Sequence, residues 1–206
     1  MVPVAFIYND DIMIACERSD EVLAGIHVGR DSLVDMNDVL AFVRRRYCPD
    51  LAVYARSFAG LGSPAGPCDA CGAMTRIEPS GGGAGMGRIR SAAIVLNSAA
   101  APWFQRFSLA QQVGHLVTLP PDVQPDPDSY TVSTRISCDL AAISREEMER
   151  DRYLLREQAA NVFALRVLMP SGQFFRKVRE LDSVGRTAQF YRLPAEAVVS
   201  RMMTGE

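Results

Sequence analysis

Net charge is what this chain most lacks. Its 22 Lys and Arg stand against 24 Asp and Glu, a balance of −2 at pH 7. No global field therefore draws it to nucleic acid or to an anionic membrane surface. Long apolar runs are missing too: none approaches the roughly 20 residues that span a bilayer. The N-terminus has neither the basic region nor the small-residue cleavage site of a secretory signal. These absences lead us to expect a cytoplasmic protein with no membrane and no direct nucleic-acid partner. In that compartment its five cysteines are reduced thiols rather than a disulfide framework. The lone C-x-x-C, Cys68-Asp-Ala-Cys71, has no second pair at finger-like spacing to complete a structural zinc site. It also lacks the βαβ setting of a redox motif, so incidental thiols are the simpler reading. Histidine is scarce, with His27 and His115 the two in the chain. His27 reads as structural or surface. No internal repeat is present, and the one biased stretch is a glycine-rich turn over 79–87.

What remains is ordinary for a globular protein: 206 residues, 48% hydrophobic and 22% charged, enough for one domain with a substantial core plus an extension. Two apolar runs, Val4–Tyr8 and Ile12–Ala15, flank a polar Asn9-Asp10-Asp11 and predict a β-hairpin. Ser19–His27 follows as a short helix with Ser19 at its N-cap. These make an N-terminal extension, 1–30, ahead of a domain over 31–206. Leu33–Tyr47 is an amphipathic helix, with Leu33, Met36, Val39, Leu40 and Val43 inward and Arg44-Arg45-Arg46 in the last turn, where cations suit the helix dipole. That triplet reads as a solvated helix end rather than a phosphate site. Leu51–Phe58, Ala73–Ile77 and Ile89–Asn97 are strands, the last two forming a hairpin. Pro120–Ser144 is a long connection, of the length that marks a functional loop. Ser144-x-x-Glu147 is a capping box for a helix that runs to Met169 and stops at Pro170. Short helices follow around Phe174–Leu181, Thr187–Tyr191 and Pro194–Met203. They have no basic recognition face, so they close the core rather than read DNA.

The chemistry concentrates on Arg106–Val117, a helix with two faces. Leu109, Val113, Leu116 and Val117 form an apolar stripe. Gln111 and His115 share the opposite side, with Gln112 beside them. In zincins, H-E-x-x-H puts two zinc-binding histidines one turn apart and a general-base Glu between them. Here that frame reads Gln111-Gln112-Val113-Gly114-His115. On the later helix, Glu157, Ala160, Asn161 and Ala164 share a face whose small residues admit a close neighbour. There Glu157 and Asn161 would meet a partner helix or, alternatively, face solvent.

The series Ile94-Val-Leu-Asn97, Arg106-Phe-Ser-Leu-Ala-x-x-x-Gly-His115, Glu157-x-x-Ala-Asn-x-Phe-Ala164, Leu168-Met-Pro170 and Ala195-Glu-Ala-Val-Val-Ser-Arg-Met202 resembles the ImmA/IrrE family of metallo-endopeptidases over roughly 33–203. The resemblance implies an α+β, zincin-like domain. A small mixed or antiparallel sheet would pack on an active-site-type helix, ahead of a mostly helical C-terminal half. It implies zinc as cofactor and, as substrate, a helix-turn-helix repressor. His115 matches the second zinc His and Glu157 the acidic ligand. Gln111 stands where the first zinc His would be, and Gln112 where the catalytic Glu would be. Asn161 and Asn97 fall at binding positions of the same motifs.

These departures bear on chemistry. An amide oxygen is a poorer donor to Zn²⁺ than imidazole, and an amide cannot act as a general base. Losing the base alone costs about 10²- to 10⁴-fold. The expectation is a catalytically impaired relative, without a cofactor, that binds a protein or peptide partner, a transcriptional repressor being one candidate. Gln111, Gln112, His115, Glu157 and Asn161 would then satisfy one another by hydrogen bonds. The alternative is an active zinc metallo-endopeptidase cleaving such a repressor. Its site would be completed by His27, Cys68, Cys71 or Cys138, or the glutamines would be engineered inactivating changes.

Overall fold

The computed structural model describes residues 10–58, 71–79, 89–118, 130–134 and 152–205. Within them the chain forms α1 (Asp10–Ala24), α2 (Met36–Arg46), β1 (Asp50–Arg56), β2 (Cys71–Pro79), β3 (Ile89–Asn97), α3 (Pro102–Val117), β4 (Tyr130–Thr134), α4 (Arg152–Leu168), α5 (Ser171–Leu181), α6 (Val184–Tyr191) and α7 (Ala195–Met203). The architecture is α+β and mostly helical. The four strands make one mixed sheet in the order β1-β3-β2-β4. β1 runs parallel to β3, while β2 is antiparallel to both β3 and β4. No helix among the described residues is long and apolar enough to cross a membrane.

The N-terminal hairpin needs correction. Residues 1–9 lie outside the described residues, but Ile12–Ala15 is helix, not strand. The polar Asp10 and Asp11, read as a turn, are the acidic first turn of α1, where carboxylates suit the helix dipole. Ile12, Ala15, Ser19 and Val22 are its buried residues, at helical spacing. Ser19 is accordingly no N-cap: it lies mid-helix, donates to the Cys16 carbonyl and accepts from Arg166 Nε. His27 is exposed beyond the helix end. A second correction concerns 120–144, which holds β4 where a continuous connection was expected. The capping box at Ser144 and Glu147 lies outside the described residues, as do Cys68 and Cys138.

Elsewhere local signals and structure agree. Asp35 caps α2 by accepting from Asn37 N at 2.8 Å, and the three arginines occupy its last turn. Arg44 donates to the Leu51 carbonyl and Arg46 to Glu21, which ties the cluster to its own fold. α4 ends at Leu168, two residues ahead of Pro170. α5 and α6 end on Asp182 and Arg192 in the left-handed region, at φ 45° and 53°.

Two apolar clusters share α3 and α4. One joins α1, α2 and the sheet to Leu109, Val113, Leu116 and Val117 of α3 and to Ala159, Phe163 and Val167 of α4. The other joins Phe107 and Ala110 of α3 and Ala164, Leu165 and Leu168 of α4 to α5, α6 and α7. Because apolar partners lie on both sides, α3 is buried all round from Phe107 to Val117. The face carrying Gln111 and His115 is therefore covered as well. Arg166, itself buried, bonds Ser19 and both carboxylate oxygens of Asp20, pinning α1 to α4.

Candidate functional site

The site forms where α3 meets α4. α3 starts with Pro102 in its first turn, where a missing N–H costs nothing. Asn97, at the end of β3, shapes the approach. Its Oδ1 accepts from the backbone N–H of Ala99 at 3.1 Å and of Phe58 at 3.4 Å, joining the β3–α3 turn to the end of β1. At the other end Thr118 closes the helix by bonding the Gly114 carbonyl through both its N–H and its hydroxyl. Gly114 lets the two helices approach: a Cβ there would lie 3.1 Å from the Cα and O of Ala160 and 3.0 Å from Phe163 Cδ1. The small residues Ala160 and Ala164 do the same from α4.

That approach brings Gln111, His115, Glu157 and Asn161 together. Glu157 and Asn161 are buried, each 8% exposed, not solvent-facing. Gln111 Nε2 donates to Asn161 Oδ1 at 2.9 Å and to Glu157 Oε2 at 3.2 Å. The amide nitrogen faces two oxygens, and of the two polar atoms of the amide only the nitrogen can donate. His115 Nε2 lies 3.1 Å from the other carboxylate oxygen, Oε1. The two atoms are close but not aligned as a hydrogen bond, and each is without a hydrogen-bond partner among the described residues. Gln111 Oε1 is in the same condition. Gln112 is fully buried beside them. The expectation that these side chains satisfy one another holds for the Gln111 nitrogen and fails for three buried atoms around Glu157.

Ser108, one turn before Gln111 on the same helix, is also buried with its hydroxyl unpartnered among the described residues, as is Thr75 on β2. The spacing of 108, 111, 112 and 115 was the signal that could have found Ser108. No group of three or more His, Cys, Asp or Glu that could hold a metal occurs among the described residues. Asn97 does its work on backbone groups at the edge of this region.

Residues 68–203, more than half of the chain, match the Peptidase_M78 family, described as the IrrE N-terminal-like domain. No curated protein matches the chain.

Proposed function

The chain belongs to the ImmA/IrrE family, and from that premise we propose that it is a catalytically impaired, zincin-like member that binds a protein partner without cutting it. One observation carries the reading: the Gln111 amide turns its NH₂ toward Glu157. At the place of a metal ligand this puts a hydrogen-bond donor facing the acidic ligand.

The family implies zinc, and the residues here do not fit a catalytic zinc. Such a site needs three protein ligands and an open position for water. His115 and Glu157 supply two, and the third position holds a neutral amide engaged by Glu157 and Asn161. Gln112, at the general-base position, has no carboxylate to accept a proton from water. Both defects fall on the step that activates water, so their costs are not multiplied. What the chain retains is the frame: two helices in contact, a sheet over α3, and strands whose edges can accept an extended peptide. We place the protein in the cytoplasm, with 1–30 as an extension and 31–206 as the binding domain. Its partner is a protein or peptide such as a transcriptional repressor, with Asn161 and Asn97 at binding positions.

The test is the metal content of protein purified without added metal, beside the Gln111→His, Gln112→Glu double variant. We expect no zinc in the natural chain and about one zinc per chain in the variant. Stoichiometric zinc in the natural chain, together with hydrolysis of a repressor substrate, refutes the proposal.

A second reading, an active metallo-endopeptidase, draws on one observation: His115 Nε2 and Glu157 Oε1 still converge to 3.1 Å. It requires a third ligand from elsewhere in the chain and a substitute base. The same assay decides between the two.

A further inference from the structure

β1 stands at the end of the sheet order, with β3 on one side and no strand beyond it among the described residues. In a parallel pair, alternate residues turn both main-chain groups toward the partner strand. The Ser98 N–H donates to the Arg56 carbonyl at 3.0 Å. Arg56, and with it Tyr54, Ala52 and Asp50, therefore face β3, while Leu51, Val53 and Ala55 face outward. Leu51 is already engaged: its N–H donates to the Cys48 carbonyl and its own carbonyl accepts from Arg44 Nε. Val53 and Ala55 each present an N–H and a C=O to the outer edge. That edge is open to solvent, since Tyr54, Ala55 and Arg56 are exposed, Tyr54 at 58%. Edge strands are ordinarily blunted by a proline, a lysine or a bulge. Over 53–55 this strand has none of these. Its register with β3 is unbroken, and Val53 and Tyr54 are strong strand formers. An edge of this kind is a template for another strand.

We propose that this edge pairs antiparallel with the same edge of a second copy of the chain, about a two-fold axis at Tyr54. Val53 then exchanges both of its main-chain bonds with the partner's Ala55, and Ala55 with the partner's Val53. Every outward group of 53–55 is used, and the ladder stops where Leu51 is already engaged. Tyr54 faces the partner's Tyr54 as a close, non-hydrogen-bonded pair, a position that favours aromatic contacts. Asp50, Ala52, Tyr54 and Arg56 share one face of the strand. Arg56 opposes the partner's Ala52 and lies diagonal to the partner's Asp50, within reach of a long side chain. β1 begins with an acid and ends with a base, so an antiparallel copy brings opposite charges together and a parallel one aligns like with like. An unrelated extended peptide offers the same kind of hydrogen bonds, but a second copy also matches the charges and the length of the open edge by symmetry. The pairing joins two four-stranded sheets into one. The contact is short and belongs to the small, weakly associating class, under about 1,200 Å².

The test is sedimentation equilibrium of the full chain from about 10 µM to 1 mM, a range suited to a small interface. The natural chain shows a concentration-dependent monomer–dimer equilibrium. Ala55→Pro removes an outward N–H and leaves the bonds to β3 in place, because position 55 makes none of them, and proline is tolerated where an edge strand faces out. With one donor lost from each chain, it weakens association by about 10-fold or more. Arg56→Asp puts like charges on both diagonals and weakens association by about 2- to 30-fold. Adding Asp50→Arg to Arg56→Asp restores the match of charges and tightens the dimer again. Circular dichroism shows that each variant is folded. A natural chain that stays monomeric throughout overturns the proposal. So does a dimer that folded Ala55→Pro leaves intact, or a charge-swapped double variant no tighter than Arg56→Asp alone. If Ala55→Pro does not fold, the charge series still decides.

Discussion

Replacing Gly114 with alanine sets two effects of known sign against each other. Alanine favours a helix over glycine by about 0.8–1.0 kcal/mol. Its methyl group would meet Ala160 Cα and O at 3.1 Å and Phe163 Cδ1 at 3.0 Å. Two of those three obstacles are backbone atoms of α4, which cannot rotate aside as a side chain would. Overpacking of this kind costs about 1–3 kcal/mol, so the clash wins and the net destabilisation is about 1 kcal/mol. For a chain of this size that lowers Tm by about 2–4 °C. Gly172, in the first turn of α5, has nothing within 4 Å of an added Cβ. There only propensity acts, and Gly172→Ala is neutral or stabilising by up to about 1 kcal/mol. Scanning calorimetry gives a lowered Tm for Gly114→Ala and an unchanged or raised one for Gly172→Ala. The wedge at Gly114 also parts α3 from α4 one turn from Gln111. A Gly114→Ala protein as stable as its Gly172→Ala counterpart would refute the close helix contact on which the site depends.

Other perturbations test separate parts of the fold. Asn97→Ala leaves the buried N–H of Phe58 without its Oδ1 acceptor and costs about 1–3 kcal/mol by urea unfolding, while Asn97→Asp, which keeps an acceptor, costs less. Arg166 is 7% exposed at its side chain and Asp20 is 62% exposed, so Asp20→Ala, which takes both carboxylate acceptors from a buried cation, destabilises more than Arg166→Met. Equal losses in urea melts would count against that asymmetry. Burial pushes the Glu21 carboxyl up, but hydrogen bonds from Tyr47, Arg18 and Arg46 outweigh it and hold it below its ordinary 4.5. A depressed carboxyl stabilises the fold above that value and loses its contribution as pH falls through the lower folded one. The stability gap between the natural chain and Glu21→Gln, on the order of 1 kcal/mol at most for a partly exposed cluster, therefore narrows in melts below pH 4.5.

How much of this was legible in the sequence follows from the range of the forces involved. α2 was readable because its cap, apolar period and terminal arginines are all local. β2 and β3 were readable as neighbours across a turn. The parallel pairing of β1 with β3 was not, since no local pattern states which strand lies alongside which. β4 is five residues long and takes its hydrogen bonds from β2, so a Pro-rich connection hid it. α1 was misread because a short run such as Ile12–Ala15 suits strand or helix alike. Burial against α4 chose helix, and Ser19 inside that helix serves Arg166 from 147 residues away. At the site, spacing alone put Gln111 and His115 on one side of α3 and Glu157 with Asn161 on one side of α4. What spacing could not state is whether four polar groups brought together satisfy each other, because that depends on ångström-scale alignment. Here Gln111 pairs through its nitrogen while its oxygen, the His115 Nε2 and one Glu157 oxygen do not pair among the described residues. A site that had merely lost its metal and settled into its own hydrogen bonds would have closed that account. This one leaves the contact between His115 Nε2 and Glu157 Oε1 at 3.1 Å without hydrogen-bond alignment, the kind of ångström-scale outcome that no spacing rule states.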